Sequence, residues 1–389
     1  MNNESLLAEA LTVLPSVDWC RTWPADITIK LRMTSAKIKK VVDEIKPPTT
    51  VSINKKWLRS TNNGTIAEKQ HNIFNHIQSL SSMSSIRLSN CQIVTFDTNM
   101  FSCQALVRLD LSNNQIGPIG AQRLALVFPQ CTSLVHLNLS GNQIGPDGIV
   151  SLVEMIIQCP SLVHLDLNKN KIGPDGADSL ARVLGQCRSL THLNLGSNQI
   201  GPTGIESLIV AFSVLTIKHL DLSWNQIRSS GIESLWQCLC QYQVSSIIYL
   251  NLCSNQIGPD GVQNLVPVLR QCPFLDHLDL STNQIGSVGL ERLSIVLGQC
   301  SSLEHLNICD NQIGSVGIDS LSAVLEQCLV LAHLDLCSNQ IDDIGAESLA
   351  RVLGQCRSLV CLKLRDNQIG PIGSEKIRKV YKGFRILKL

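Results

Sequence analysis

From residue 106 onward the chain alternates leucine with polar side chains in short bursts, as in Leu162-Val163-His164-Leu165-Asp166-Leu167. A period of two marks a strand with one buried face. A few residues later the period lengthens. Ala177, Leu180, Ala181 and Leu184 recur at the three- and four-residue steps of an amphipathic helix. Between them lies a turn with glycine and often proline (Gly145-Pro146, Gly173-Pro174), then Asp147, Asp175, Thr203 or Asp260 as expected helix N-caps. The phrase returns with anchor asparagines at Asn114, Asn142, Asn170, Asn198, Asn225, Asn255, Asn283, Asn311, Asn339 and Asn367, spaced 28, 28, 28, 27, 30, 28, 28, 28 and 28 residues apart. A degenerate eleventh copy at 86–93 puts Cys91 in the asparagine slot, and Val51 with Ile53 suggests a still earlier edge strand.

One such unit cannot fold alone. Each buried side chain contributes about 1.5–3 kcal/mol, whereas ordering each residue costs about 1–2 kcal/mol. Stacking closes the gap, and a stack grows in one dimension, so 389 residues need not divide into several globular cores. Parallel strands about 4.8 Å apart would carry eleven units over about 50 Å. Because strands are narrower than helices, the stack is expected to curve into a horseshoe with a concave parallel sheet and convex helices. The fold class is therefore α/β.

The phrase resembles the leucine-rich repeat, L-x-x-L-x-L-x-x-N/C-x-L, over residues 86–370. Its 28-residue length resembles the ribonuclease-inhibitor-like subclass, which also covers the C-terminal arrays of NOD-like receptors and the Ran GTPase-activating protein. The resemblance implies a macromolecule-binding solenoid.

Strand residues two apart share a face, which sorts the outward positions into rungs. The first rung holds Arg108, His136, His164, His192, His219, Tyr249, His277, His305, His333 and Cys361. The second alternates acid and amide from Asp110 through Asn138, Asp166, Asn194, Asp221, Asn251, Asp279, Asn307 and Asp335 to Lys363. The third runs from Ser112 through Ser140, Asn168, Gly196, Ser223, Cys253, Ser281, Cys309 and Cys337 to Arg365. His and Asp two apart could ligate a metal, but a ribbon of equivalent sites closes no tetrahedral pocket. A hydrogen-bonded ladder spread by duplication is the simpler reading. Alternation on the second rung also keeps carboxylates two strands apart, which lowers their repulsion. The partner-binding candidates are the seven ladder histidines with Tyr249, the aspartates Asp110, Asp166, Asp221, Asp279 and Asp335, and Trp224. Trp224 and Tyr249 fall in the least regular stretch, between Asn198 and Asn255. They read either as binding anchors or as rings buried in a repacked repeat. No catalytic, cofactor or metal residue is assigned.

Charge is uneven. Residues 103–370 hold 14 Lys/Arg against 22 Asp/Glu, a net of −8, whereas residues 1–102 net +4 and residues 371–389 net +5. An acidic array argues against nucleic acid as the main partner. The basic end (Lys376, Arg378, Lys379, Lys382, Arg385, Lys388) reads as a solvated cap, with acidic lipid or RNA as the other reading. Protonating seven histidines would bring the array from −8 to about −1 below pH of roughly 6.5, so binding to a basic partner should weaken there. No secretory leader or membrane-length apolar run is seen, so a cytoplasmic location, with the nucleus as a possible second, is expected and the 16 cysteines are expected as thiols. Cys131, Cys159, Cys187, Cys272, Cys300, Cys328 and Cys356 each precede a strand leucine by three residues and are expected inside. Cys253, Cys309 and Cys337 point outward.

The organisation expected is a helical N-terminal region over 1–45, a linker and cap with an edge strand and a helix over 46–85, repeats over 86–370 and a basic cap over 371–389. Residues 1–43 resemble an F-box in three elements: Leu6-Leu7 to Leu11, Leu14-Pro15-Ser16-Val17-Asp18, and Leu31-Arg32-Met33-Thr34-Ser35 to Val41-Val42. The opening Leu-Pro is missing and Trp23-Pro24-Ala25-Asp26 sits where a helix should run. An F-box would imply docking of 1–45 to a ubiquitin ligase adaptor, with the repeats selecting substrate. The alternative is a helical cap over the first repeat. The leading expectation is a non-enzymatic scaffold that binds a protein on the concave face. A Ran-like GTPase activator is a further alternative, for which no distinctive loop is found. No P-loop, GxSxG, HExxH or paired CxxC is present.

Overall fold

The computed structural model describes residues 28–30, 50–52, 84–96, 105–127, 131–242, 246–380 and 386–388. The F-box-like elements lie outside these residues, as do 1–27 and 31–45 of the helical region expected over 1–45 and 53–83 of the cap expected over 46–85. The chain forms two compact units, one comprising 1–171 with 186–190 and the other 172–185 with 191–389.

In the first unit, strands Thr28–Lys30, Thr50–Ser52, Ser85–Arg87, Arg108–Asp110, His136–Asn138 and His164–Asp166 pair in that order, all parallel. The strand expected at Val51 therefore has neighbours on both sides rather than forming an edge. Helices Gly117–Val127 and Gly145–Ile157 follow the fourth and fifth strands. In the second unit, strands His192–Asn194, His219–Asp221, Tyr249–Asn251, His277–Asp279, His305–Asn307, His333–Asp335, Cys361–Lys363 and Ile386–Lys388 pair in the same way. Each of the first seven is followed by a helix, from Gly201–Phe212 to Pro371–Val380. Register equates every repeat: His277 pairs with His305, Leu278 with Leu306 and Asp279 with Asn307. This is the α/β solenoid expected from the phased leucines.

The core repeats with the phrase. Leu278, Leu280, Ile285, Leu290, Leu293 and Leu297 of one repeat are all buried. The anchor asparagines from Asn142 to Asn339 are buried as well, with every polar atom used. Asn283 Oδ1 accepts from the backbone N–H groups of Asn255 (2.8 Å) and Ile257 (3.4 Å) in the preceding repeat. Its Nδ2 donates to the carbonyls of Leu252, Leu280 and Ser281. The amide ties two repeats together where no strand ladder reaches. In the slot of Cys91 the thiol donates instead to its own repeat, at the Ser89 carbonyl.

The helix starts differ from expectation. Asp147 and Asp175 lie inside the first turn, and the position before each helix (Ile144, Ile172) is already helical and offers no side-chain cap. The first N–H at each start is met by the next repeat: Gly145 N–H donates to the Asn170 carbonyl at 2.8 Å and Gly258 N–H to that of Asn283 at 2.9 Å. For that group the stack does what a capping side chain would otherwise do. Asp342 is the exception. Its Oδ1 accepts from the Ile344 and Gly345 N–H groups, in the repeat where Asp342 and Asp343 replace the usual Gly-Pro or Gly-Ser.

Candidate functional site: the open face of the sheet

Short strands with one buried leucine flanked by two half-exposed residues build this face, as in His277-Leu278-Asp279. The first rung is a column of stacked rings. In the first unit His136 and His164 lie 4.1 Å apart. In the second unit the column runs from His192 to His219 (4.1 Å), Tyr249 (5.9 Å), His277 (5.9 Å), His305 (3.8 Å) and His333 (4.1 Å). Face-to-face stacking turns the ring edges, and the nitrogens in them, away from a common centre. Among the described residues no three His, Cys, Asp or Glu are arranged to hold a metal ion.

Burial lowers the affinity of His219 and His333 for protons, and in both a charge on His277 would lower it further. Asp276 beside His219 and Glu304 beside His333 work the other way without reversing the shift, so both groups favour the neutral form more in the fold than in the unfolded chain. As pH falls below the ordinary histidine value of about 6.5, the unfolded chain takes up these protons first. Stability from the two rings is therefore complete above that value and declines as pH drops toward their depressed folded values. Urea midpoints at pH 8, 6.5 and 5.5 should fall on the acid side, and less so for His219→Gln/His333→Gln. An unchanged slope in that variant would contradict the assignment.

The second rung is mainly structural. Asp221 Oδ1 accepts from the backbone N–H (2.9 Å) and hydroxyl (2.6 Å) of Ser223, and Asp279 does the same with Ser281. The other oxygen accepts from the neighbouring strand's amide, Asn251 to Asp221 at 3.0 Å and Asn307 to Asp279 at 2.9 Å. The acid–amide alternation is therefore a donor–acceptor ladder, as well as a way to space charges. Asp110 pairs with Arg87 at 3.2 Å and Asp335 with Lys363 at 2.7 Å. Burial raises Asp221. Burial also works against a charged Asp335, but hydrogen bonds from Lys363 and Cys337 outweigh it and hold this carboxyl below the usual range. Asp166 takes up the Asn168 N–H at 2.9 Å.

The third rung departs from a plain outward row. Ser112, Ser223 and Ser281 are buried, because the chain is already turning against the aspartate two residues back. Cys361, expected outward on the first rung, is also buried, on a strand flanked by Ile386–Lys388. The seven cysteines placed inside are buried except Cys328, which is half-buried. Cys253, Cys309 and Cys337 are half-exposed. Burial pushes the Cys309 thiol up to about 11 and, with Asp335 beside it, Cys337 to about 12, so neither is a thiolate nucleophile at neutral pH.

Two lips border the face in the second unit. The residue before each first-rung position runs Thr191, Lys218, Ile248, Asp276, Glu304, Ala332, Val360. Asp276 is hydrogen-bonded to the Nδ1 of His277, and Glu304 is exposed. Sequence reading missed this lip because strict alternation assigns it to the core. At the other lip, the residue before each anchor asparagine is left-handed, at φ between 53° and 58° for Ser197, Trp224, Ser254, Thr282, Asp310, Ser338 and Asp366. Trp224 is 61 % exposed, so its ring is outside rather than repacked. Tyr249 is half-buried within the column. Its hydroxyl is pushed up by burial and by the charges of Asp221 and Asp279, so it is neutral at physiological pH.

The same repeats are visible in comparison with known proteins. Ten segments match the family described as Leucine Rich repeat: 102–125, 130–153, 158–181, 186–208, 215–235, 245–266, 271–294, 299–322, 327–350 and 355–377. No curated protein matches the chain. Among solved structures, an internalin (inlF) from Listeria monocytogenes aligns at a TM-score of 0.56 and 19 % identity, over 91 % of this chain and 94 % of that one. The mouse RP105/MD-1 complex aligns at 0.50 and 15 %, over 95 % of this chain and 57 % of that one. A leucine-rich repeat protein of Leptospira interrogans aligns at 0.45 and 19 %, over 92 % and 93 %. Identities this low show the fold alone. The ten matched segments cover more than half of the sequence, in phase with the buried asparagines: the chain belongs to the leucine-rich repeat family.

Proposed function

We propose that the chain is a non-enzymatic scaffold that binds a protein through the open face of the sheet. A repeat array of this family suits protein interaction. The observation that carries the reading is Trp224. Nine other repeats place Asn, Gly, Lys, Ser, Thr or Asp at its position. This repeat holds a large ring there, in a left-handed backbone (φ 57°) and largely in solvent. Such a conformation costs an L-residue about 1–2 kcal/mol, and an exposed indole returns little to folding. Strain of this kind is found at functional positions, and tryptophan and tyrosine are favoured anchors of interfaces.

The test combines stability with binding. Trp224→Asn is expected to stabilise the chain by roughly 0.5–1 kcal/mol, because asparagine tolerates the left-handed region. Trp224→Asn with Tyr249→Ala should lose the partner that the unaltered chain retains in quantitative affinity capture. Asp178→Asn, a half-exposed helical position paired with Arg182 and away from the open face, should retain it. Full retention by the double variant would overturn the assignment. The F-box-like elements over 1–45 carry a second reading, a substrate receptor docked to a ubiquitin ligase adaptor. Co-purification of that adaptor with the full chain, lost in Leu14→Asp, tests it.

A further inference from the structure

The lips and rungs distribute charge unevenly along the second unit. On the face formed by strands Tyr249–Asn251, His277–Asp279 and His305–Asn307 lie Asp276, Asp279, Glu304 and Asp310, and no Lys or Arg. Among the described residues none of these four pairs with a lysine or arginine. The field is bounded: Lys218 lies on the lip two repeats before Asp276, and Lys363, bonded to Asp335, lies two repeats after Asn307. Negative charge crosses the whole width of the face, from Asp276, bonded to His277, and the exposed Glu304 on one lip, through Asp279, whose charge persists although Ser281 and Asn307 hydrogen-bond to it, to the exposed Asp310 on the other.

A second feature occupies the same place. The His277 and His305 rings form the tightest stack of the column, at 3.8 Å. Stacked rings present edges rather than faces, and a neutral imidazole carries one acceptor nitrogen in its edge. Acceptors and anions thus line the floor and both lips, and no three of them converge for a metal ion. The complementary group is an organic cation with several donors. Guanidinium offers five in a plane. An extended segment places alternate side chains on one side about 6.8 Å apart, so two of them fit within the three strands, which span about 10 Å between outer axes.

We propose that these three repeats seat a cationic, arginine-bearing stretch of extended polypeptide from the partner. The inference rests on the open-face reading and names the chemistry of what docks there. Charge complementarity argues for polypeptide over nucleic acid, whose phosphates this face would repel.

The full chain can be titrated at 50 mM salt with a fluorescein-labelled ten-residue Gly-Ser peptide carrying four arginines at alternate positions, read by anisotropy. A peptide with glutamates at those positions serves as the counterpart. The arginine peptide is expected to bind and the glutamate peptide not to. Asp276→Asn with Glu304→Gln should weaken binding at least ten-fold, whereas Asp178→Asn on the helical side leaves it unchanged. Equal binding of both peptides, an unaltered affinity in the double variant, or no arginine-peptide binding up to 1 mM each overturns the proposal. Binding that ignores the carboxylate variants but is lost in Trp224→Asn/Tyr249→Ala keeps the open face as the docking site and ends the cation assignment. Binding indifferent to both variants ends both. Circular dichroism of each variant confirms that the fold is retained in the comparison.

Discussion

Replacing Asn283 with alanine should cost about 4 kcal/mol and divide the unfolding of the array. The side chain is fully buried and serves two N–H donors of the preceding repeat and three carbonyls of two repeats. Alanine leaves the two N–H groups without an acceptor in a space water does not reach freely, whereas the carbonyls of Leu252, Leu280 and Ser281 keep donors in Asn255 Nδ2, Asn311 Nδ2 and the Ser254 N–H. Each buried group left unpaired costs about 1–3 kcal/mol, and partial relaxation keeps the total below the sum. The loss falls on the interface between repeats, the term on which the cooperativity of a stack depends. Urea denaturation followed by far-ultraviolet circular dichroism should therefore show a lower first midpoint and a second, later transition. A single transition displaced by less than 1 kcal/mol would mean that the asparagine ladder contributes little to coupling.

A second large effect is expected at Gly289, where valine should destabilise by about 3 kcal/mol. A Cβ at this position would stand 2.5 Å from Ile285 Cγ2 and 3.3 Å from the Cα of Pro259 in the preceding repeat. The second of these is backbone and cannot rotate away. Three residues earlier Gly286 is glycine for another reason: nothing lies within 4 Å of its Cβ position, but its φ is +66°. Gly286→Ala should accordingly cost only about 1 kcal/mol, and the two costs should separate in thermal melts. Equal destabilisation by the two substitutions would show that strain and overpacking had been assigned to the wrong glycines.

The open face was partly legible before any coordinates. His277, Asp279 and their counterparts were placed on it by period alone, because every second strand residue shares a side. What period could not supply is what those side chains do there. Asp221 and Asp279 were candidates for the partner, yet each carboxylate is engaged by a serine two residues on and by the next strand's asparagine. The same limit explains Asp147 and Asp175. As local signals they read as N-caps, but the next repeat's carbonyl already occupies the helix start. Trp224 stood out in sequence with two opposed readings, and its exposure removes the one in which the ring is repacked inside. Asp276 and Glu304 were overlooked because the alternation breaks at the lip.

By itself the sequence determined the repeat length, the α/β class, the buried leucines and the membership of the histidine column. All of these follow from periodicity, a local property that stacking preserves from copy to copy. The tertiary structure decided which polar groups are consumed by neighbouring repeats and which stay exposed. That division depends on hydrogen bonds and charges between residues 26–33 positions apart, and adjacent repeats bring such residues together only once the chain has stacked.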